Sequence, residues 1–193
     1  MTVHEPMTLA TDYLLAAACS GFSLLLLRMK SAATGWWSIA FAAVALAALA
    51  GGTYHGFPSF HPNALWKTTL VAAGAASCAM VIATGIATRL AARGFFWLAL
   101  LKFAAYLAWI ASHDDFLAVV IDSGSALAIV ATLHAIRGGP AWRWMIGGVA
   151  VAVVAAGVQA MKLAPHPQFN HNDLYHLIQI AAMWLLYRGA RLL

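Results

Sequence analysis

The chain carries eight histidines and six acidic residues, and the placement of the histidines is the first feature that could do chemistry. Seven of them (His4, His55, His61, His113, His166, His171 and His176) fall in or beside one set of chain turns, and only His134 falls elsewhere. Neutral imidazole is a good zinc ligand, and a catalytic zinc typically keeps three protein ligands plus a water. Two of the seven sit in polar islands bordering long apolar stretches. His55 ends Gly51-Gly52-Thr53-Tyr54-His55-Gly56, and His176 lies in Asn170-His171-Asn172-Asp173-Leu174-Tyr175-His176. Read as a helix start, the second island explains most of its own polar residues: Asn170 or Asn172 can accept from free backbone N–H groups, and Asp173 suits the positive helix end. Capping does not explain His176, one turn further in. Asn172 and Asp173 share a helix face with His176. His171 is about 140° around from it, so the two histidines meet one site only if His171 lies in an unwound entry segment.

The elements that must position these residues follow from composition. Hydrophobic residues make up 63% of the 193 and charged residues 9%, against about 25% charge in a soluble domain. Such a surface must face lipid. Spanning helices need roughly 20 apolar residues each, which leaves room for a single domain of seven helices over residues 1–193. The expected spans are Thr8–Arg28, Gly35–Gly56, Asn63–Ala87, Gly94–Ser112, Asp114–Ile136, Trp142–Leu163 and Asn172–Leu192. A barrel would need alternating polar residues, and SIAFAAVALAALAGG does not alternate. The fold class is therefore all-α, a polytopic membrane protein built as a seven-transmembrane-helix bundle. Gly51-Gly52, Gly74, Gly85, Gly124, Gly147-Gly148 and Gly157 read as small residues that let helices approach. Cys19 and Cys78, both in apolar runs, read as packing residues rather than a disulfide or a metal pair.

Of the eleven basic residues, eight fall on one side of this arrangement: Arg28, Lys30, Arg89, Arg93, Arg137, Arg143, Arg188 and Arg191. The positive-inside rule then places the N-terminus outside and the C-terminus in the cytoplasm, with the histidines at the outer face of an inner or plasma membrane. The net charge of +5 comes without any basic run, so membrane lipid, not nucleic acid, is the expected partner. The start of the chain lacks the basic segment of a cleaved signal peptide, so the first helix is expected to be retained.

Charged residues inside a span are costly and normally face a partner or a cavity. Lys102 and Asp122 lie on either side of the fourth-to-fifth turn, each about 13–15 Å from it along its helix. They are expected to meet as a buried ion pair, either structural or forming one wall of a polar cavity with Ser123, Ser125 and Tyr106. Asp12, Thr53, His55, Lys67, Asp173 and His176 all fall within about two turns of the outer face, on helices one, two, three and seven.

A histidine ending helix two and a histidine one turn into helix seven, in a seven-helix chain, resembles the CREST superfamily of membrane hydrolases, which includes alkaline ceramidases and the progestin and adiponectin receptors. Gly52-Thr53-Tyr54-His55 looks like that family's helix-two motif, and Asn172-Asp173-Leu174-Tyr175-His176 looks like its helix-seven motif. The resemblance implies a zinc ion held by His55 and His176. It also departs from the pattern: the first histidine of the family's helix-seven pair falls on Asn172, its helix-two serine falls on Gly51, and its aspartate near the start of helix three has no equivalent in Asn63-Ala64-Leu65-Trp66-Lys67. A third ligand would have to come from His171, Asp173 or another outer histidine.

The leading expectation is a zinc-dependent hydrolase acting on a lipid amide or ester at the outer leaflet. His55 and His176 would be ligands with His171 or Asp173, Asp12 or Asp173 would be the general base, and Lys67 or Thr53 would stabilise the oxyanion. A non-enzymatic sensor or partner-binding subunit using the same outer pocket is the second reading, favoured by the missing serine and aspartate. Haem or copper electron transfer through His55 and His176 is a third, and transport through Lys102 and Asp122 a fourth, without a broken helix or repeat behind it. A retinal pigment is disfavoured, since helix seven has no lysine.

Overall fold

A computed structural model describes residues 2–193. Among these residues there are seven helices and no strand: α1 (Pro6–Leu27), α2 (Ala32–Gly56), α3 (Pro62–Thr88), α4 (Ala92–Ser112), α5 (Leu117–Arg137), α6 (Trp142–Ala160) and α7 (His171–Ala190). The first six are long and apolar enough to cross a membrane. The start of α7 is too polar for that criterion, for reasons that matter at the site below.

Element ends follow local chemistry. α5 begins at Leu117, three residues later than apolarity alone places it, because the Ala118 N–H donates to Asp115 Oδ1 at 3.1 Å and Asp115 acts as a cap outside the helix. α6 stops at Ala160, before the expected Leu163, where Lys162 turns into the left-handed region with φ +50. α7 starts with a complete capping box. Asn170 Oδ1 accepts from the Asn172 and Asp173 N–H groups, and the Asn170 N–H donates to Asp173 Oδ2 at 2.7 Å.

Six helices close a ring in the order α1, α2, α3, α5, α6, α7 and back to α1, and α4 leans on α3 from outside. α3 is accordingly the most enclosed helix, with 72% of its apolar stretch buried against 17% for α4. The short connections alternate between two ends. One end, called the histidine end here, holds residues 2–5 and the α2–α3, α4–α5 and α6–α7 connections.

Helices α1, α2 and α7 are clamped together toward the end opposite the histidine end. Phe22 stacks on Tyr187 at 4.6 Å between ring centroids and meets Phe41 edge-on at 5.7 Å, and Ser23 Oγ and Ser38 Oγ lie 2.9 Å apart across α1 and α2. Toward the histidine end the α1–α2 approach tightens further. A Cβ on Gly52 would lie 2.7 Å from Asp12 Cβ, closer than carbon atoms can pack, so only glycine permits this crossing. Gly74 does the same for α3 and α4. The Tyr106 ring lies flat against it, which lets the tyrosine hydroxyl donate to Leu70 O at 2.8 Å.

Candidate functional site

The close crossing at Gly52 sets Asp12 against α2, and the clamp below it brings α7 alongside. Thr8, Thr11 and Asp12 are spaced three and four apart on α1, so they share one face. That face is buried against α7, as are Asp173 and His176 opposite it. Five polar side chains thus meet between helices that are otherwise apolar. Burying a polar group is tolerable only when it is partnered; here four are hydrogen-bonded, and Asp12 meets His176 in a close polar contact at 3.2 Å.

Two linked pairs result. In the first, Thr8 Oγ1 donates to Asp173 Oδ1 at 2.8 Å. Asp173 Oδ2 already accepts from the Asn170 N–H, so both carboxylate oxygens are committed to tying the start of α7 to α1. In the second, His176 is held at both ring nitrogens. Its Nδ1 lies 3.1 Å from Thr11 Oγ1 and its Nε2 lies 3.2 Å from Asp12 Oδ1.

The proton count in the second pair is informative. Thr11 has one hydroxyl proton and three acceptors in reach: Met7 O at 3.0 Å, Thr8 O at 3.2 Å and His176 Nδ1. If the proton goes back to the helix carbonyl, Nδ1–H must donate to Thr11, and Nε2 then shows a lone pair to Asp12. Two bare acceptors at that distance need a proton or a cation between them. If Thr11 donates to Nδ1 instead, Nε2 carries its proton on the side facing Asp12. Either way Thr11 decides whether Nε2 meets the aspartate with a proton or with a lone pair.

Zinc, the metal that the family resemblance implies, can be tested against this donor set. Zinc bonds of about 2.0–2.1 Å at tetrahedral angles put neighbouring ligand atoms roughly 3.3 Å apart. The Nε2-to-Oδ1 separation matches that edge, and a carboxylate with imidazoles is a normal catalytic zinc set. Thr11 on Nδ1 is the kind of outer partner that orients a ligating histidine. His55 lies in the last turn of α2, at the same histidine end. Its Nδ1 sits 3.4 Å from Glu5 Oε2, with both side chains partly exposed at the mouth of the site. Among the described residues no three His, Cys, Asp or Glu side chains are placed to hold a metal ion together. The residues offer zinc a two-ligand edge, Asp12 Oδ1 and His176 Nε2, and no third ligand as they are placed.

The other residues singled out by sequence go elsewhere. Asp173 is saturated by Thr8 and Asn170. His171 is the first residue of regular α7, so it diverges from His176 by about 140° around the helix. Thr53 donates to Leu49 O at 2.7 Å and lies 2.9 Å from Tyr13 Oη, bridging α1 and α2 on an exposed face. Lys67 pairs with Asp114 Oδ1 at 2.7 Å and also donates to Ile110 O, so it fastens α3 to the end of α4. Lys102 and Asp122 form a buried ion pair between α4 and α5, where Lys102 Nζ also donates to Asp122 O at 2.7 Å.

Three participants were not singled out by sequence: Thr8, Thr11 and Glu5. The threonines had a legible signal, since they stand four and one residues before Asp12 on the same helical face. Glu5 had none, because its approach to His55 depends on residues 2–5 folding over α2, where the His4 N–H donates to Gly56 O at 3.0 Å.

Over residues 7–193 the chain matches a family described as a family of unknown function (DUF6962). No curated protein and no solved structure matches it.

Proposed function

The chain belongs to the DUF6962 family, whose match takes in all seven helices apart from the first residue of α1, and we propose that it is a multi-pass membrane hydrolase with a zinc centre at the histidine end. The observation that carries this reading is the buried Asp12–His176 contact at 3.2 Å, oriented by Thr11 and placed where three helices converge. Uneven charge supports the orientation. The basic residues cluster at the opposite end, which puts the histidine end outside by the positive-inside rule. The substrate class is a lipid amide or ester, because the site lies within about two turns of the helix ends, at the depth of headgroup linkages.

Asp12, His176 and His55 would hold the metal. Bound there, zinc supplies a Lewis acid for the substrate carbonyl and a water acidic enough to act near neutral pH. The protein's own contributions are distinct. Thr11 keeps one tautomer of His176. The Thr8–Asp173–Asn170 network fixes the register of α7 against α1, so His176 and Asp12 meet without searching. Glu5 is the carboxylate nearest the mouth that no buried bond consumes, which makes it the proton acceptor of choice for a hydrolytic water.

Elemental analysis of the purified protein tests this, with His176→Gln, Asp12→Asn and His55→Ala beside wild type. About one zinc per chain is expected in wild type, with loss in His176→Gln and Asp12→Asn. A wild-type protein that remains zinc-free after incubation with zinc rejects the centre. Zinc at full occupancy without release of fatty acid from amide or ester lipids keeps the centre and rejects the hydrolase.

A further inference from the structure

A second site lies away from the first, between α4 and α5. Both helices pack on α3 and barely touch each other, so a groove of about 460 Å³ opens between them. That volume is in the range of small-molecule sites. Trp109, Leu117 and Ile121 form apolar walls, and Lys102, Asp122 and Ser125 also line it. Asp115, at the groove's histidine end, is exposed.

The polar part of the groove has a definite hydrogen-bonding character. Lys102 Nζ donates to Asp122 O and to Asp122 Oδ1, which uses two of its three protons. Ser125 Oγ donates to the same Asp122 carbonyl oxygen at 2.8 Å, which leaves its lone pairs open. Lys102 and Ser125 are therefore neighbours across a shared acceptor, one with a donor to spare and the other with an acceptor to spare. A hydroxyl group complements both, since its oxygen accepts from Lys102 while its proton goes to Ser125. Charge narrows the choice. Lys102 is already neutralised by Asp122, so an ionised headgroup would bring an uncompensated charge into an apolar groove. Asp115 adds repulsion against anionic amphiphiles at the entrance.

We propose that the α4–α5 groove is a binding site for a neutral, hydroxyl-bearing lipid or amphiphile, seated with its hydroxyl between Lys102 and Ser125. The site does not depend on the zinc centre, and either can stand without the other. Photolabelling tests it on the full chain in phosphatidylcholine nanodiscs. The probes are a diazirine-bearing medium-chain alcohol, the matched hydrocarbon and the matched carboxylic acid, with labelled residues read by mass spectrometry. The alcohol is expected to label α4 and α5 about fivefold more than either control, the effect of one net hydrogen bond. Ser125→Ala should remove most of that preference, and its exposed position makes it safe for folding. The double variant Lys102→Met with Asp122→Leu should lose the preference while hydrocarbon labelling persists. Equal labelling by all three probes overturns the proposal, and so does a preference that survives Ser125→Ala.

Discussion

Gly51 and Gly52 are adjacent, both in α2 and both buried, and alanine should have opposite effects at the two. At Gly51 an added Cβ would meet Thr69 at 3.7 Å and Asp12 Oδ2 at 3.8 Å, which is ordinary van der Waals contact. Alanine there gains about 0.5–1 kcal/mol in helix propensity over glycine without displacing anything. At Gly52 the Cβ would stand 2.7 Å from Asp12 Cβ and 3.1 Å from Tyr13 Cδ1. The obstacle is the root of a side chain rather than its mobile tip, so α1 itself must retreat. Overpacking of this kind costs about 1–3 kcal/mol, and the propensity gain offsets only part of it. The two variants should therefore differ by roughly 1–3 kcal/mol, with Gly51→Ala the more stable. Thermal unfolding in detergent, followed by circular dichroism, should show Gly52→Ala melting several degrees below Gly51→Ala, at about 2–4 °C per kcal/mol for a chain of this size. The displacement of α1 also has a functional readout, because Asp12 is the residue pushed. Zinc retention should fall in Gly52→Ala and hold in Gly51→Ala. Equal melting temperatures, or a Gly52→Ala protein more stable than Gly51→Ala, would refute the claim that this crossing is glycine-limited.

Two further outcomes concern the polar networks. Asp173→Ala removes the acceptor of the Thr8 hydroxyl and one half of the α7 capping box. It should lower stability by about 1–3 kcal/mol, measured by the same thermal scan, and weaken zinc retention less than Asp12→Asn does, because Asp173 acts through the register of α7 and not as a ligand. In the α4–α5 groove, Lys102→Met alone leaves Asp122 buried without its partner. It should cost about 3–5 kcal/mol, whereas Lys102→Met with Asp122→Leu should recover most of that loss. Chemical denaturation of the three proteins side by side decides it, and a double variant no more stable than the single would show that the pair's value is not electrostatic.

The fold was legible because lipid-facing helices announce themselves by composition. Long apolar runs, broken at Pro58, Pro62 and Gly138-Gly139 and flanked by arginines, leave few choices of secondary structure. Helix ends were less so. Asp115 looks like part of α5 by apolar count, yet a short carboxylate just before a helix is better used as a cap than inside one. The ring order with α4 outside was not readable either, since α4 is as apolar as its neighbours and nothing in its sequence says which face meets α3 until the Gly74–Tyr106 contact is seen.

The site divides along the same line. His176, Asp12 and Asp173 stood out because charge and imidazole are rare in such a chain. Which of them pair was invisible, because that depends on the angle at which α1 crosses α7. Residue spacing fixes what shares a face of one helix, but never what two helices present to each other. The geometry separates two aspartates that looked alike in sequence: Asp173 is consumed by the backbone and by Thr8, while Asp12 keeps Oδ1 directed at His176. Asp12 from α1 and Thr69 from α3 both come close to where a side chain at Gly51 would begin. Which groups meet there depends on how closely the helices cross. Gly52 supplies that closeness, so of two glycines that first read alike as packing residues, only one sets how near Asp12 comes to α2.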